Sequence, residues 1–135
     1  MKLIIAGTRS FNNYELLKSK LDFFLQNVNE EVFIISGKAP GADSLGETYA
    51  IEKGFVVLPF PAKWKDLTTT PCKIKYNKHG EAYNALAGFN RNEEMAKNAT
   101  HCVCFWDGIS PGTSDMIQLA RKYNLKLKIV KYETN

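Results

Sequence analysis

At 135 residues the chain has room for one core of ordinary size and little for a second domain. Hydrophobic residues make up 44% and charged residues 24%, the balance of a soluble globular domain, and the net charge of +4 is compatible with an anionic ligand without demanding one. The longest apolar runs, LIIAG near the start and VFIIS from Val32, fall far short of the roughly 18 residues of a membrane span.

Lys2 to Ala6 (KLIIA) reads as a first strand ending at Gly7. Asn12 with Glu15 forms a capping box, and Leu17, Leu21, Phe24, Leu25 and Val28 follow at helical spacing. Val32 to Ser36 is a second strand, stopped by Gly37. A second helix is expected from about Ala42 to Lys53, with Gly54 just past its end. Phe55 to Phe60 (FVVLPF) is a third strand. From about 61 to 88 no period holds, and a stretch this long inside a compact domain reads as a functional, lid-like excursion. Asn90 with Glu93 forms another capping box, opening a helix to about Asn98. His101 to Trp106 is the fourth strand, Thr113 or Ser114 caps a fourth helix to about Tyr123, and Leu125 to Val130 is the fifth strand.

Strand-helix alternation at this spacing implies βαβ units, hence a Rossmann-like three-layer α/β/α fold with a mainly parallel five-stranded sheet. Strands one, two and four are continuously apolar and belong inside the sheet. The fifth alternates with Lys126 and Lys128, and the third carries Pro59, so both suit edges. The expected order is 3-2-1-4-5, with residues 1–135 as one domain. In such sheets the ligand crevice lies outside the strand carboxyl ends, where the winding reverses between strands one and four.

Three turns should therefore meet at a crevice. Gly7, Thr8, Arg9 and Ser10 follow strand one: glycine permits close approach, the hydroxyls hydrogen-bond, and the guanidinium fork suits phosphate. Asp107 and Gly108 follow strand four, and Gly112 and Thr113 enter the next helix, whose free amides would cradle phosphate. Ser36, Gly37, Gly41 and Asp43 flank the turn after strand two, where Asp43 either caps the helix or bonds a ribose hydroxyl. Arg91 and Asn92 are placed at a helix start, an unfavourable site for a cation that suggests an anion-gripping role. The segment is neither a Walker loop nor GxGxxG, which disfavours ATPases and dinucleotide dehydrogenases. Trp64 and the lysines of the excursion, with its other aromatics, offer a means of binding single-stranded nucleic acid. Of Cys72, Cys102 and Cys104, the last two share one strand face and read as core thiols. No metal site and no cofactor are expected. The opening residues show no signal peptide, so the cytoplasm is the expected location.

The ordered motifs GTRSF (7–11), SGKAPGADSLGETYA (36–50), FPAKW (60–64), AGFNRNEEMA (87–96) and FWDGISPGTSDMI (105–117) resemble the YspA-like branch of the SLOG superfamily. The resemblance implies a Rossmann-like fold, a nucleotide-derived ligand such as an ADP-ribose-like molecule, and a phage or bacterial source. Related LOG phosphoribohydrolases release a base from a nucleoside monophosphate through PGGxGTxxE and Arg-x-x-x-Met motifs. Arg91 and Met95 fit the second motif, and Gly112 and Thr113 part of the first, but the signature glutamate falls on Met116. Asp115 is one residue early, about 100 degrees round the helix, so it should not point where that glutamate points. Base release would then need a carboxylate from Asp43 or Asp107. A third branch resembles the DNA-processing protein DprA, which binds single-stranded DNA.

Three readings follow. The first is a binding module for a phosphate-containing nucleotide derivative, with Gly7, Thr8, Arg9, Gly112 and Thr113 on phosphate, Asp43 and Asp107 on sugar, Arg91 as clamp and Trp64 over the base. The second is a hydrolase of such a ligand. The third is a single-stranded nucleic-acid binder. A homodimer is compatible with all three.

Overall fold

The structure, a computed structural model, describes residues 1–133. In chain order its elements are β1 (Lys2–Gly7), α1 (Tyr14–Phe24), β2 (Phe33–Ser36), α2 (Ala42–Lys53), β3 (Val56–Pro59), β4 (Ile74–Tyr76), β5 (Ala82–Asn84), α3 (Ala87–Asn98), β6 (His101–Trp106), α4 (Pro111–Lys122) and β7 (Lys126–Lys131). Five strands form a parallel sheet in the order β3-β2-β1-β6-β7. This is the expected 3-2-1-4-5, renumbered by a hairpin in the 61–88 excursion. Pro59, which has no N–H to donate, stands on the β3 edge, and the Lys-Leu-Lys alternation lies on the β7 edge.

Alternation along β1 sorts the core into two layers. Leu3 and Ile5 join Leu17, Leu21 and Tyr49 on the side covered by α1 and α2. Ile4 and Ala6 join Met95, Met116 and Ala120 on the side covered by α3 and α4. Each fully buried Leu or Ile contributes about 2 kcal/mol by removal from water. Cys102 and Cys104 are fully buried in the second layer with their sulfurs 3.6 Å apart. They are core thiols, as read from their spacing.

Helix starts differ from the sequence expectation. Asn13, not Asn12, caps α1, its Oδ1 accepting from the Leu16 amide at 3.0 Å. Glu15 then lies at the second helical position, so no capping box forms, and α1 ends at Phe24 with Val28 beyond it. α3 begins at Ala87, before Asn90, whose side chain instead donates to Pro71 O at 2.9 Å. The α4 cap is Ser110 rather than Thr113 or Ser114, because Pro111 supplies a preset φ at the first helical position. α2 runs over the expected residues and ends on left-handed Gly54.

The excursion is not shapeless: β4 and β5 pair antiparallel. Asn84, with no exposure at all, fastens it. Its backbone amide donates to Trp64 O, its Oδ1 accepts from the amides of Lys73 and Leu86, and its Nδ2 donates to Thr69 Oγ1. The Leu86 bond holds the residue before α3, where no side-chain cap exists. Among the described residues no helix is long and apolar enough to cross a membrane.

Candidate functional site

The reversal of winding between β1 and β6 opens a crevice of about 470 Å³. The turns after these two strands converge on it. Thr8 N donates to Phe105 O at 3.0 Å, and Asp107 N donates to Thr8 Oγ1 at 3.2 Å, so the two strand ends are stitched together. Gly7, Thr8, Arg9 and Ser10 line one wall, and Ser110, Pro111, Gly112 and Thr113 line another. No side-chain oxygen caps α4. The amides of Gly112 and Thr113 therefore stand at the start of a 12-residue helix, where the backbone dipole favours negative charge.

Arg91 and Asn92 come from α3, in its second turn rather than at its start. The electrostatic argument from a cation in the first turn therefore does not hold, yet the side chain reaches the crevice. Arg91 Nη1 donates to Gly37 O and its Nε donates to Asn92 Oδ1 at 3.1 Å. Buried Asn92 in turn donates to Gly112 O at 3.3 Å and Asp115 Oδ2 at 3.0 Å. It thus ties α3 to the start of α4 and holds the guanidinium in place. Among the described residues Arg91 makes no ion pair within 4.0 Å, and burial pulls its pKa down from the ordinary value. A partly buried guanidinium with unused N–H groups is suited to an incoming anion.

Asp43 lines the crevice at the second position of α2 and is 5% exposed. Burial pushes its pKa up to about 6, against the opposing pull of Arg91, an Ala39 backbone hydrogen bond and Arg9. Its Oδ2 accepts from Ala39 N at 3.3 Å. The turn that carries it depends on Gly41, with φ of 83°. A Cβ there would lie 2.4 Å from the carbonyl oxygens of both Thr8 and Arg9, so only glycine lets α2 pack this tightly against the β1 turn.

Several predicted residues lie outside the crevice lining. Asp107 is among them. Its Oδ1 accepts from the amides of Ile109 at 2.9 Å and Ser110 at 2.8 Å, which shapes the loop and holds its pKa below the ordinary value. Gly108 lies beside Lys131. Ser36 is buried and donates to Glu47 at 2.7 Å. Gly37 and Gly41 act through backbone geometry. Trp64 stands beside the crevice, with the Arg9 guanidinium 6.0 Å from its ring centre. Asp115 is turned to Asn92, and Met116 lines the crevice.

Among the other lining residues, Met95 stands out in the sequence only through the Arg-x-x-x-Met motif and Met116 only as the place of the LOG signature glutamate, and Phe89 falls just before the helix expected from Asn90. Ser110 became a cap only with the true start of α4. No cluster of metal-ligating side chains occurs among the described residues.

Residues 1–66 match the YAcAr family, described as the YspA, cpYpsA-related SLOG family. No curated protein matches the chain. Among solved structures it is similar to DNA processing protein A (DprA) from Streptococcus pneumoniae, with a TM-score of 0.67 at 17% identity over 95% of this chain and 49% of that one. The chain thus spans about half the length of that protein. It is also similar to DNA processing protein A from Helicobacter pylori, whose structure was described for its single-stranded DNA binding mode. There the TM-score is 0.62 at 19% identity, over 100% of this chain and 67% of that one. At such identities the likeness is one of fold. Residues 1–66, from β1 through β3, are thus similar to the YspA, cpYpsA-related SLOG family, and the α/β framework is similar to that of both DNA-processing proteins.

Proposed function

We propose that the crevice binds a phosphate-bearing nucleotide derivative, in a sensing, sequestering or carrier role. The observation that carries this reading is the Arg91 guanidinium, without an ion-pair partner among the described residues, in the same crevice as the uncapped amides of α4. Together they supply positive charge and N–H donors for one phosphate. Asp43 is positioned as an acceptor for a sugar hydroxyl, and Phe89, Met95 and Met116 offer apolar surface to a ring. The volume lies within the range of small-molecule sites.

A thermal-shift panel of nucleotides tests the reading. A ligand at a hundred times its dissociation constant adds about 2.7 kcal/mol of stability. The Arg91→Ala variant should lose that gain while still folding. If no nucleotide stabilises the protein but single-stranded DNA does, with steep loss at high salt, the nucleic-acid reading replaces this one. The likeness to DNA-processing proteins and the lysines of the excursion support that alternative.

One observation favours turnover as a second reading: a buried carboxylate whose pKa is raised to about 6 lines the crevice. Release of product from AMP, NAD or ADP-ribose, abolished by Asp43→Asn, would establish a hydrolase.

A further inference from the structure

A groove of about 640 Å³ runs between the end of α1 and the first half of β7, and none of its lining residues lines the crevice. Phe23, Phe24 and Val28 supply its apolar surface, and Lys20 and Lys128 stand beside them. Phe23 is 73% exposed. Lys126 shares the Lys128 face of β7, whereas Leu127 and Ile129 pack on the opposite face with the α4 layer. Among the described residues Lys20, Lys126 and Lys128 make no ion pair within 4.0 Å, and no carboxylate lines the groove. β7 is also an edge of the sheet. Lys126 N donates to Thr100 O at 3.1 Å and Tyr132 N donates to Trp106 O at 3.2 Å, so these alternate positions turn their backbone groups to β6. Leu127, Ile129 and Lys131 therefore turn theirs outward, along a strand without proline. The opposite edge differs. Phe60 N donates to Ser36 O at 2.7 Å, so Pro59 of β3 faces outward, where its missing N–H blunts pairing.

We infer that the β7 edge docks an acidic, extended segment of a partner protein, which adds a strand beside β7 and lowers one apolar side chain into the groove. The outward N–H and C=O groups of Leu127, Ile129 and Lys131 pair with the added backbone. Its acidic side chains, on alternate positions, meet Lys126 and Lys128. A bulky apolar side chain between them covers Phe23 and Phe24. Charge speaks against a second copy of this chain as the occupant. Two β7 strands paired edge to edge would set Lys126 and Lys128 of one copy against those of the other. Nucleic acid or an anionic membrane would also meet the lysines, but either would leave the β7 backbone edge unused.

Fluorescence anisotropy with a labelled peptide of sequence EEVFVEE tests the inference, with KKVFVKK as the charge-reversed probe. The unaltered protein should bind EEVFVEE and not KKVFVKK. A doubly substituted protein, Lys126→Glu with Lys128→Glu, should bind EEVFVEE about tenfold more weakly, the worth of two surface ion pairs, and should gain affinity for KKVFVKK. Phe23→Ser should also weaken EEVFVEE binding while leaving the unfolding midpoint in place, because the side chain it removes is exposed. With the peptide bound, the amides of Leu127, Ile129 and Lys131 should exchange more slowly with solvent. No binding of EEVFVEE at millimolar concentration, affinity unchanged by the charge reversal, or binding that leaves those amides unprotected would overturn the inference. So would self-association in sedimentation that the double substitution abolishes, which assigns the edge to a second copy. Binding of an oligothymidylate or of phosphatidylserine vesicles through the same lysines, with no binding of EEVFVEE, would overturn it in favour of nucleic acid or membrane. These substitutions lie outside the crevice, so nucleotide binding should be the same in every variant, and the crevice reading stands or falls separately.

Discussion

Asp43 and Arg91 approach each other across the bare α-carbon of Gly37, where a Cβ would lie 2.7 Å from Asp43 Oδ2 and 2.5 Å from Arg91 Nη1. They share a crevice without closing an ion pair within 4.0 Å. Each perturbs the other: Arg91 opposes the rise in the Asp43 pKa, and Asp43 opposes the fall in that of Arg91, with burial the larger cause for both. An unpaired acid and base held this close, with glycine as the only spacer, form a polar site left open to an incoming molecule.

Asp43 should make stability depend on pH. Its carboxyl titrates near 3.8 without burial and near 6 in the folded protein. The folded state therefore holds the proton more firmly, and the contribution is full below about 4 and lost as pH rises through about 6. The loss amounts to about 3 kcal/mol. Urea unfolding from pH 4.5 to 7.5 should show Asp43→Asn gaining on the unaltered protein as pH rises, then holding a constant lead. Parallel profiles for the two proteins would contradict this.

Gly37→Ala should separate binding from folding. The added methyl meets the far ends of the Arg91 and Asp43 side chains, which can swing aside. The cost in stability should stay near about 1 kcal/mol, whereas displacing the guanidinium should weaken nucleotide binding by about tenfold. Paired unfolding and titration measurements read both quantities.

Gly41→Ala and Gly54→Ala should differ sharply although both positions have positive φ. At Gly54 the new methyl meets nothing within 4 Å, so only the left-handed conformation is charged, at about 1 kcal/mol. At Gly41 it strikes two backbone carbonyls that cannot move alone. Loss there should exceed about 3 kcal/mol and include misplacement of Asp43. Denaturant midpoints compare the two directly.

Asn84→Ala should release the excursion before the sheet. The substitution leaves the amides of Lys73 and Leu86 without their acceptor and should cost about 2–4 kcal/mol. Hydrogen exchange should accelerate at these two amides while β1 and β6 stay protected. Uniform acceleration throughout the chain would mean that Asn84 supports the whole fold instead.

Asn13→Ala should lower stability by about 1 kcal/mol and Asn12→Ala by little, since only Asn13 receives the Leu16 amide. Thermal unfolding of the two variants distinguishes them.

The strands, the sheet order and α2 with its terminal glycine were legible because their signals are local. Apolar runs, a proline in the third strand and alternating lysines in the last each act within about ten residues. Helix starts were less legible. Asn12 and Asn13 carry the same side chain, and α3 starts where Asn84 and the excursion, not a capping side chain, hold its first turn. The excursion gave no period because its order comes from one buried asparagine reaching across 11 and 15 residues to Lys73 and Thr69.

The residue types around the crevice were also legible, because glycines, hydroxyls and charged groups collect in turns after strands. Which of them meet was decided by tertiary structure alone. Thr8 joins Asp107 across 99 residues, and Arg91 joins Gly37 across 54. Such contacts follow from strand adjacency and helix packing, which set distances that no local pattern encodes. For the same reason Asp43 came to line the crevice, whereas Asp107 became the brace of its own loop.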